Sequence, residues 1–382
     1  MTRRVVVLTE IISPYRIPVF NALAALAGVE LHVIFLAETD ATLWQWKVHK
    51  EEIQFSYEVL PHWRRRIRGY NVLLNRGMAS ALQRAKPDVV VCGGYSYLAM
   101  WQAERWANRR QIPVLLWSES NIRDLRKGKL LVEWLKRHFL RQCRGFVVPG
   151  KSAAAYLRSF GIPEHAIFTA PNAVDNDFFA AEAAKARAHA PEVRAQLGLP
   201  PRYFLFVGRL ISAKGVLLLL DAYARLDSSL REQVGLVLAG DGGSRAECEQ
   251  KAHAITPGKI VFPGFLHREA LAKHYALADC LILPTFSDPW GLVINEAMAC
   301  GRPVIVSEVA GAASDLVRDR WNGSVVAVGD LDALGAAMRQ LAEDPENPDR
   351  MGQRSASLIA NYSAQSWAEG FGSAVTGPLV GW

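Results

Sequence analysis

Short apolar runs alternate with helical patterns along the first part of the chain. The spacing predicts strands at RRVVVLTE, VELHVIFLA, PDVVVCGG, IPVLLWSE and GFVVPG. It predicts helices between them at PVFNALAALA, LLNRGMASALQRA, LAMWQAERWANRR and KSAAAYLRSFG. Runs of Val, Leu and Ile that are bounded by Gly or Pro and separated by helices are typical of a parallel sheet buried on both faces.

The second half repeats this alternation after the interruption IFTAPNAVDNDFF and an Ala-rich helical stretch. Its predicted strands are RYFLFVGRL, VGLVLAGDG, KIVFPGF, DCLILPTF, RPVIVSE and NGSVVAVGD. A chain of 382 residues is long enough for two domains. We therefore predict an α/β protein of two Rossmann-like domains, 1–172 and 173–360, that face a central cleft at the carboxyl ends of their strands.

The densest chemical signal is the segment PTFSDPWGLVINEAMACGRPVIVS, residues 284–307. A predicted strand ends at Pro284, the following loop carries Asp288, and a predicted helix carries Glu296. Carboxylates accept hydrogen bonds from sugar hydroxyls, and the free N–H groups of a helix N-terminus attract phosphate. The segment predicts a site for a sugar and a phosphate, with the backbone of Gly291, Leu292 and Val293 as donors.

A second signal, FVGRLISAKG, places Arg209 and Lys214 just after a predicted strand, in a loop bounded by glycines. Arginine offers a forked contact and lysine a compact charge, and the two together suit a diphosphate.

These segments resemble the family-four retaining glycosyltransferases (glycosyltransferase group 1), which have the GT-B fold. That family carries a glutamate, seven residues, a second glutamate and a run similar to AMACGRPVI; Asp288 and Glu296 occupy the acidic positions, with Asp in place of the usual first Glu. The resemblance continues in order through GRL…KG, LAGDGG, VFPGF and the segment PNAVD with Asn172 and Asp175. The further donor-binding residues that it implies are Gly208, Gly240, Asp241, Gly242 and Gly264.

The resemblance also implies a reaction. The first carboxylate would contact the donor sugar, the second would bind the ribose hydroxyls, and Arg209 and Lys214 would neutralise the leaving diphosphate. A hexose-type sugar would pass with retention from a UDP- or GDP-type nucleotide sugar to a glycan or lipid-linked acceptor, without a metal or other cofactor, in the synthesis of bacterial surface polysaccharide or glycolipid. A C-terminal helix, 361–382, would return to the first domain.

The acceptor side is predicted in the first domain. The family's glycine-rich loop after the first strand is replaced here by TEIISPYRIPVFNAL, whose Ser13, Tyr15 and Arg16 would line the acceptor site. Many members have a histidine after the fourth strand, where this chain has Glu119 in LLWSESN. Glu119 could orient the acceptor hydroxyl or accept its proton, although an acidic residue at such a position also commonly caps a helix.

The distribution of charge along the chain indicates which classes of partner the protein could bind. Residues 1–175 hold 25 lysines and arginines against 14 aspartates and glutamates, which predicts an anionic partner for this half. Two basic stretches contain apolar residues, from Trp63 to Tyr70 and from Arg123 to Arg144, and either would suit an anionic membrane surface or an ordinary solvated face. No nucleic-acid recognition fold is evident.

The start MTRRVVVLTEII favours a strand over a signal peptide because Glu10 interrupts its short apolar run. We therefore expect a cytoplasmic protein, in which peripheral association with the inner face of the cell membrane stays open. The five cysteines and the histidines show no metal-ligand spacing, so no metal site is expected.

Two alternatives remain open. GFVVPGKS, residues 145–152, matches the phosphate-loop pattern of nucleoside triphosphatases, but FVVP has strand character where that motif needs a loop. A non-catalytic nucleotide-sugar-binding protein of the same fold is the other alternative, with Asp288 marking lost activity.

Overall fold

The computed structural model describes residues 2–39, 48–67, 70–121 and 130–378. The chain divides into two compact units. Unit 1 comprises Met1–Ala173 with Ala364–Trp382, and unit 2 comprises Val174–Ser363. Each unit contains one parallel sheet with helices on its faces, as the alternating pattern predicts. None of the helices in the described ranges is long and apolar enough to cross a bilayer.

The sheet of unit 1 has seven parallel strands in the order β3-β2-β1-β6-β7-β8-β9. Its strands are β1 (Arg3–Thr9), β2 (Val29–Phe35), β3 (Ser56–Val59), β6 (Val89–Cys92), β7 (Val114–Trp117), β8 (Gly145–Val148) and β9 (Ile167–Thr169). Its helices are α1 (Ile17–Ala24), α2 (Met78–Ala85), α3 (Leu98–Asn108), α4 (Leu130–Gln142), α5 (Lys151–Arg158) and α16 (Ala364–Thr376).

Both faces of this sheet are buried. Val5 and Val7 of β1 pack on the face that α1 and α16 cover, whereas Val6 and Leu8 pack on the face with α2, α3 and α5. Successive side chains of a strand point to opposite faces, so a strand covered on both sides is apolar at every position. The continuous run VVVL follows from this double burial.

The C-terminal helix α16 supplies part of the core of unit 1. Trp367 is fully buried, with its ring centroid 5.8 Å from that of Phe20 and 5.6 Å from that of Trp117. A Cβ atom at Gly370 would lie 2.1 Å from the carbonyl oxygen of Thr169, so this glycine lets the helix approach the backbone at the end of β9.

The prediction of one helix through LLNRGMASALQRA is wrong at its start. Residues 73–75 belong to β5 (Tyr70–Asn75), which pairs antiparallel with β4 (His62–Ile67), and α2 begins only at Met78. Leu73 turns inward and is buried, whereas Trp63 and its cross-strand partner Leu74 are exposed. Cross-strand pairing with β4 outweighs the local helical spacing, because strand formation depends on packing against residues outside the strand itself.

The phosphate-loop alternative loses its structural basis. Gly145–Val148 form β8, which pairs with β7 on one side and β9 on the other, so the first residues of the motif are a buried strand. A phosphate loop requires those residues to follow a strand as an open turn.

The sheet of unit 2 has six parallel strands in the order β12-β11-β10-β13-β14-β15. Its strands are β10 (Tyr203–Val207), β11 (Gly235–Ala239), β12 (Ile260–Gly264), β13 (Cys280–Leu283), β14 (Val304–Ser307) and β15 (Gly323–Val326). Its helices are α6 (Asn176–Ala188), α7 (Ala190–Leu197), α8 (Val216–Ala224), α9 (Ser228–Gln233), α10 (Arg245–His253), α11 (Arg268–Leu277), α12 (Leu292–Ala299), α13 (Ala313–Leu316), α14 (Leu331–Glu343) and α15 (Asn347–Ile359). The order reverses between β10 and β13, and open parallel sheets bind ligands beside such a point.

Candidate functional site

Glycines at the carboxyl edge of the unit 2 sheet let neighbouring turns touch through their backbones. The N–H group of Gly208 donates to the carbonyl of Ala239 at 3.0 Å, and that of Gly240 donates to the carbonyl of Gly264 at 2.8 Å. A Cβ atom at Gly240 would lie 1.9 Å from the carbonyl oxygen of Gly208. Only glycine fits there, and it leaves the edge as nearly bare backbone that a ligand can approach.

The turn after β11 extends this edge. The carbonyl of Asp241 accepts the N–H group of Leu210 at 2.9 Å, and a Cβ atom at Gly242 would lie 2.5 Å from the carbonyl oxygen of Leu210. The Asp241 carboxylate accepts the N–H group of Gly242 at 2.7 Å and lies 3.9 Å from Arg245. Asp241 therefore shapes its own turn, and half of its side chain remains exposed.

Lys214 and Asp288, which lie 74 residues apart in sequence, meet at this edge. The Lys214 Nζ atom donates to the Asp288 Oδ2 atom at 2.5 Å, and both side chains are more than four-fifths buried. The second oxygen, Oδ1, accepts the N–H group of Trp290 at 3.3 Å. The pair combines the cationic turn and the acidic loop that the sequence predicts for one ligand.

Thr285, which the sequence reasoning did not single out, holds these two segments together. Its buried hydroxyl lies 3.0 Å from the carbonyl oxygen of Ala213, next to Lys214, and its own carbonyl accepts the hydroxyl of Ser307 at 2.6 Å. Gly215 has a φ of +70°, and a Cβ atom there would lie 2.0 Å from the carbonyl oxygen of Pro284. The position of Lys214 is therefore fixed from both sides of its turn.

The N-terminus of α12 lies immediately beyond the acidic loop. Gly291 precedes the helix with a φ of +90°, and the N–H group of Ile294 donates to its carbonyl at 2.9 Å. This hydrogen bond begins the helix. It leaves the N–H groups of Gly291, Leu292 and Val293 ahead of the helical hydrogen bonds, as the sequence predicts for a helix start. Such groups, together with the helix dipole, favour an anion.

Glu296 lies on the second turn of α12 and is paired with Tyr275 of α11. The Tyr275 hydroxyl donates to the Glu296 Oε2 atom at 2.7 Å, and Tyr275 is fully buried. Burial raises the pKa of Glu296 to about 7, and the Tyr275 hydrogen bond lowers it. Burial also keeps the pKa of Tyr275 well above its usual range, so its hydroxyl remains a donor. The sequence reasoning missed Tyr275, because in sequence it is one more large residue of a helix that packs on the core.

Arg209 lies on the same loop as Gly208 and Lys214, and its side chain is exposed. The N–H group of Ile211, two residues further along the chain, donates to the carbonyl of Arg209 at 2.9 Å. The loop therefore makes a tight turn at Arg209. The structure thus places Arg209 on the cationic turn, and Lys214 of the same turn contacts Asp288.

In unit 1 the predicted acceptor residues converge on Arg16. Its guanidinium forms an ion pair with Glu119 and donates to the Asn172 Oδ1 atom at 3.1 Å, and the Asn172 amide donates to Glu119 at 3.1 Å. The guanidinium also lies over Trp117, 4.3 Å from the ring centroid, and over Tyr15 at 5.2 Å. Glu119 is thereby held as one corner of a mostly buried polar network.

Ser13 is also buried, and its carbonyl accepts the N–H group of Arg16 at 2.9 Å in the short helical turn Pro14–Arg16. The loop after β1 and the loop after β7 therefore meet at one edge of the unit 1 sheet. Each of these residues was singled out separately in the sequence, but their mutual contacts depend on the fold.

Comparison with known proteins identifies the family to which both halves of the chain are similar. Residues 19–178 match the family described as Glycosyltransferase Family 4, and residues 190–358 match Glycosyl transferases group 1. Among curated relatives, the alpha-D-kanosaminyltransferase of Streptomyces kanamyceticus is 28% identical over 237 residues, 61% of this chain and 60% of that protein. A D-inositol 3-phosphate glycosyltransferase of Streptomyces bingchenggensis is 34% identical over 174 residues, 43% of this chain and 38% of that protein. The O-antigen chain mannosyltransferase C of Escherichia coli is 30% identical over 155 residues, 40% of each chain. The matched regions therefore span less than two thirds of these relatives.

Solved structures match over nearly the whole chain. Anabaena Alr3699/HepE in complex with UDP and glucose superposes with a TM-score of 0.76 at 17% identity, covering 98% of this chain and 100% of that one. A glycosyltransferase from Rickettsia africae superposes with a TM-score of 0.74 at 14% identity, covering 98% of each chain. At these identities the likeness shows the fold. With both halves matching the same group of families in order, the chain belongs to the family-four (group 1) glycosyltransferases of GT-B type.

Proposed function

We propose that the protein is a retaining glycosyltransferase that moves a hexose-type sugar from a UDP- or GDP-type nucleotide sugar to a glycan or lipid-linked acceptor. The observation that carries this proposal is the contact of Lys214 with Asp288 beside the N-terminus of α12. A cation, a carboxylate and free helix N–H groups at one sheet edge match the needs of a sugar diphosphate. Support also comes from Alr3699/HepE, whose structure contains UDP and glucose.

In the proposed reaction, the bond between the anomeric carbon and the diphosphate oxygen breaks while the acceptor oxygen bonds to that carbon from the same face. The acceptor proton passes to the departing phosphate oxygen. Lys214, Arg209 and the N-terminus of α12 stabilise the negative charge that develops on the leaving group. Because these groups supply the required positive charge, we propose that the transfer needs no divalent cation.

The carboxylates would position the donor. Asp288 would fix Lys214 and face the donor sugar, and Glu296 would accept hydrogen bonds from the ribose hydroxyls. Positioning of this kind can account for most of the catalysis in a reaction that needs no protein nucleophile. In unit 1, the network of Arg16, Asn172 and Glu119 would orient the acceptor hydroxyl, because the contacts with Arg16 and Asn172 hold the Glu119 carboxylate in place.

The biological setting is part of the proposal. The relative named O-antigen chain mannosyltransferase C supports a role in bacterial surface polysaccharide synthesis. A lipid-linked acceptor would place the enzyme at the inner face of the cell membrane, in keeping with the basic charge of residues 1–175.

The test is a panel of UDP-, GDP-, ADP- and dTDP-sugars, scored for donor hydrolysis and for the shift of the melting temperature. One nucleotide should stabilise the protein and be turned over. Asp288→Asn and Glu296→Gln should each lower turnover by roughly 100-fold, whereas Lys151→Ala, in the rejected phosphate-loop motif, should leave it unchanged. Stabilisation by a nucleotide sugar without any turnover would favour the non-catalytic binding protein. Nucleoside triphosphate hydrolysis that depends on Lys151 would refute the transferase.

A further inference from the structure

The first turns of α4 present large apolar side chains to solvent. The helix packs inward through Phe139 and Leu140, which are buried, whereas Val132, Trp134 and Leu135 are 44%, 59% and 38% exposed. Apolar residues clustered in this way on a monomer commonly mark a surface that another body covers. Of the basic stretch noted in the sequence, the part before Leu130 lies outside the described residues.

Trp134 is held in an outward position by a stack of rings. Its ring centroid lies 5.5 Å from that of His138, one turn along α4, with an angle of 18° between the planes. His138 stacks in turn on Trp101 of α3 at 6.2 Å and 5°, and Trp101 meets the buried ring of Phe139 edge-on at 4.9 Å. The exposed indole is therefore a prearranged platform fixed to the core, and a partner need not order it on binding.

The charge around this platform is positive. Arg137 and Arg141 lie three and seven residues after Trp134, which places them on the same side of the helix, and both are exposed. Glu133, the acidic residue of α4, accepts a hydrogen bond from Lys136 at 3.0 Å. The neighbouring helix α3 and the residues just after it add exposed arginines: Arg105, Arg109 and Arg110.

We propose that this surface, formed by Val132, Trp134, Leu135, Arg137 and Arg141 and called the docking face here, rests on an anionic phospholipid bilayer. An indole has an apolar body and an N–H group, which suits the headgroup layer, and arginines bind lipid phosphates. The apolar side chains at the start of the helix would contact acyl chains, and the arginines further along it would contact the anionic headgroups. Binding to the bilayer does not depend on the proposed function. Only the reason for it does, because the docking face would hold unit 1 at the membrane where a lipid-linked acceptor lies.

Flotation of the full-length protein with vesicles tests the docking face directly. Wild-type protein should float with phosphatidylcholine vesicles containing about 30% phosphatidylglycerol but not with phosphatidylcholine alone, and salt at about 0.5 M should weaken the binding. Trp134→Ser should lower the vesicle partition coefficient by about tenfold and Leu135→Ser by about fivefold. Equal flotation of wild type and Trp134→Ser, or equal flotation with neutral vesicles, would overturn the proposal.

Val328→Ser in unit 2 is the matched control for Leu135→Ser, because the two side chains are 39% and 38% exposed. It should float like the wild type. Gel filtration of wild type and Trp134→Ser tests self-association, and a wild-type dimer that Trp134→Ser disperses would overturn the proposal in favour of a second copy on this face. Donor hydrolysis without vesicles separates the two proposals: variants that lose flotation should keep hydrolysis, and a wild type that floats without hydrolysing any donor would refute only the proposed function.

Discussion

The Tyr275 hydroxyl controls how readily the Glu296 carboxyl group holds a proton. It donates to this carboxylate at 2.7 Å, and burial already raises the pKa of Glu296 to about 7. A hydrogen bond to a charged group contributes about 1.5 kcal/mol, which corresponds to about one pKa unit. Tyr275→Phe removes the bond and leaves the carboxylate in the same buried place, so the pKa of Glu296 should rise to about 8.

Donor affinity should report this shift if Glu296 binds the ribose as a carboxylate. In the wild type, the affinity for the nucleotide sugar should fall as the pH falls through about 7. In Tyr275→Phe the same fall should occur about one pH unit higher, so the variant binds several-fold more weakly near pH 7.5 and almost equally well near pH 9.5. Calorimetric titration with an intact nucleotide sugar is the assay, because its diphosphate diester lacks the phosphate ionisation near pH 6 that a free nucleotide has.

Stability should change with pH in the direction set by the same proton. The folded pKa of Glu296 lies above the usual 4.5, so its contribution to the free energy of unfolding is fully present below about 4.5 and is lost as pH rises through about 7. In Tyr275→Phe the free energy of unfolding should continue to fall until about one pH unit higher. Tyr223→Phe is the control, since that buried hydroxyl donates to the neutral carbonyl of Val234 at 2.9 Å. Identical pH profiles for Tyr275→Phe and the wild type would refute the coupling of Tyr275 to Glu296.

Two further changes test the edge of the unit 2 sheet. Gly240→Ala should destabilise the fold by about 3 kcal/mol or more in chemical denaturation, because its Cβ atom would meet the Gly208 carbonyl at 1.9 Å; Gly243→Ala, with no atom within 4 Å, should change stability by less than about 1 kcal/mol. Lys214→Met should lower kcat by about 10² to 10³ in single-turnover kinetics, because it removes a cation from the leaving diphosphate. Lys251→Met on α10 should leave kcat unchanged, and equal rates for these two lysine variants would argue against the role of Lys214.

The fold was predictable wherever the strands are covered on both faces. VVVL in β1 and CLIL in β13 are apolar at every position because helices lie on both sides of the sheet. The hairpin of β4 and β5 was missed because Leu73 is buried whereas Trp63 and Leu74 are exposed, and because β4 carries three successive arginines. Its pairing is decided by contacts across the hairpin and with the sheet, which local spacing does not reveal.

Within the candidate site, the sequence indicated individual residues more readily than it indicated which of them contact one another. Asp288 and Lys214 stand out because charged groups directly after buried strands are conspicuous, yet their meeting depends on the adjacency of β10 and β13. Tyr275 and Thr285 gave no signal, because a tyrosine in a packed helix and a threonine after a strand are ordinary residues. Their hydroxyls acquire a role only through atoms of segments distant in sequence, the Glu296 carboxylate and the Ala213 carbonyl.

The location of α16 in unit 1 has a consequence for the order in which the protein can be built. During translation, residues 1–173 are synthesised first. Trp367 and Phe371 emerge from the ribosome only after the whole of unit 2. Until then Phe20 lacks its neighbour Trp367, Trp117 lacks both Trp367 and Phe371, and the apolar surface that α16 buries stays open to water. Unit 2 is continuous in sequence and can complete its core while the nascent chain is still tethered, so the part of the enzyme that is synthesised first is the part that matures last.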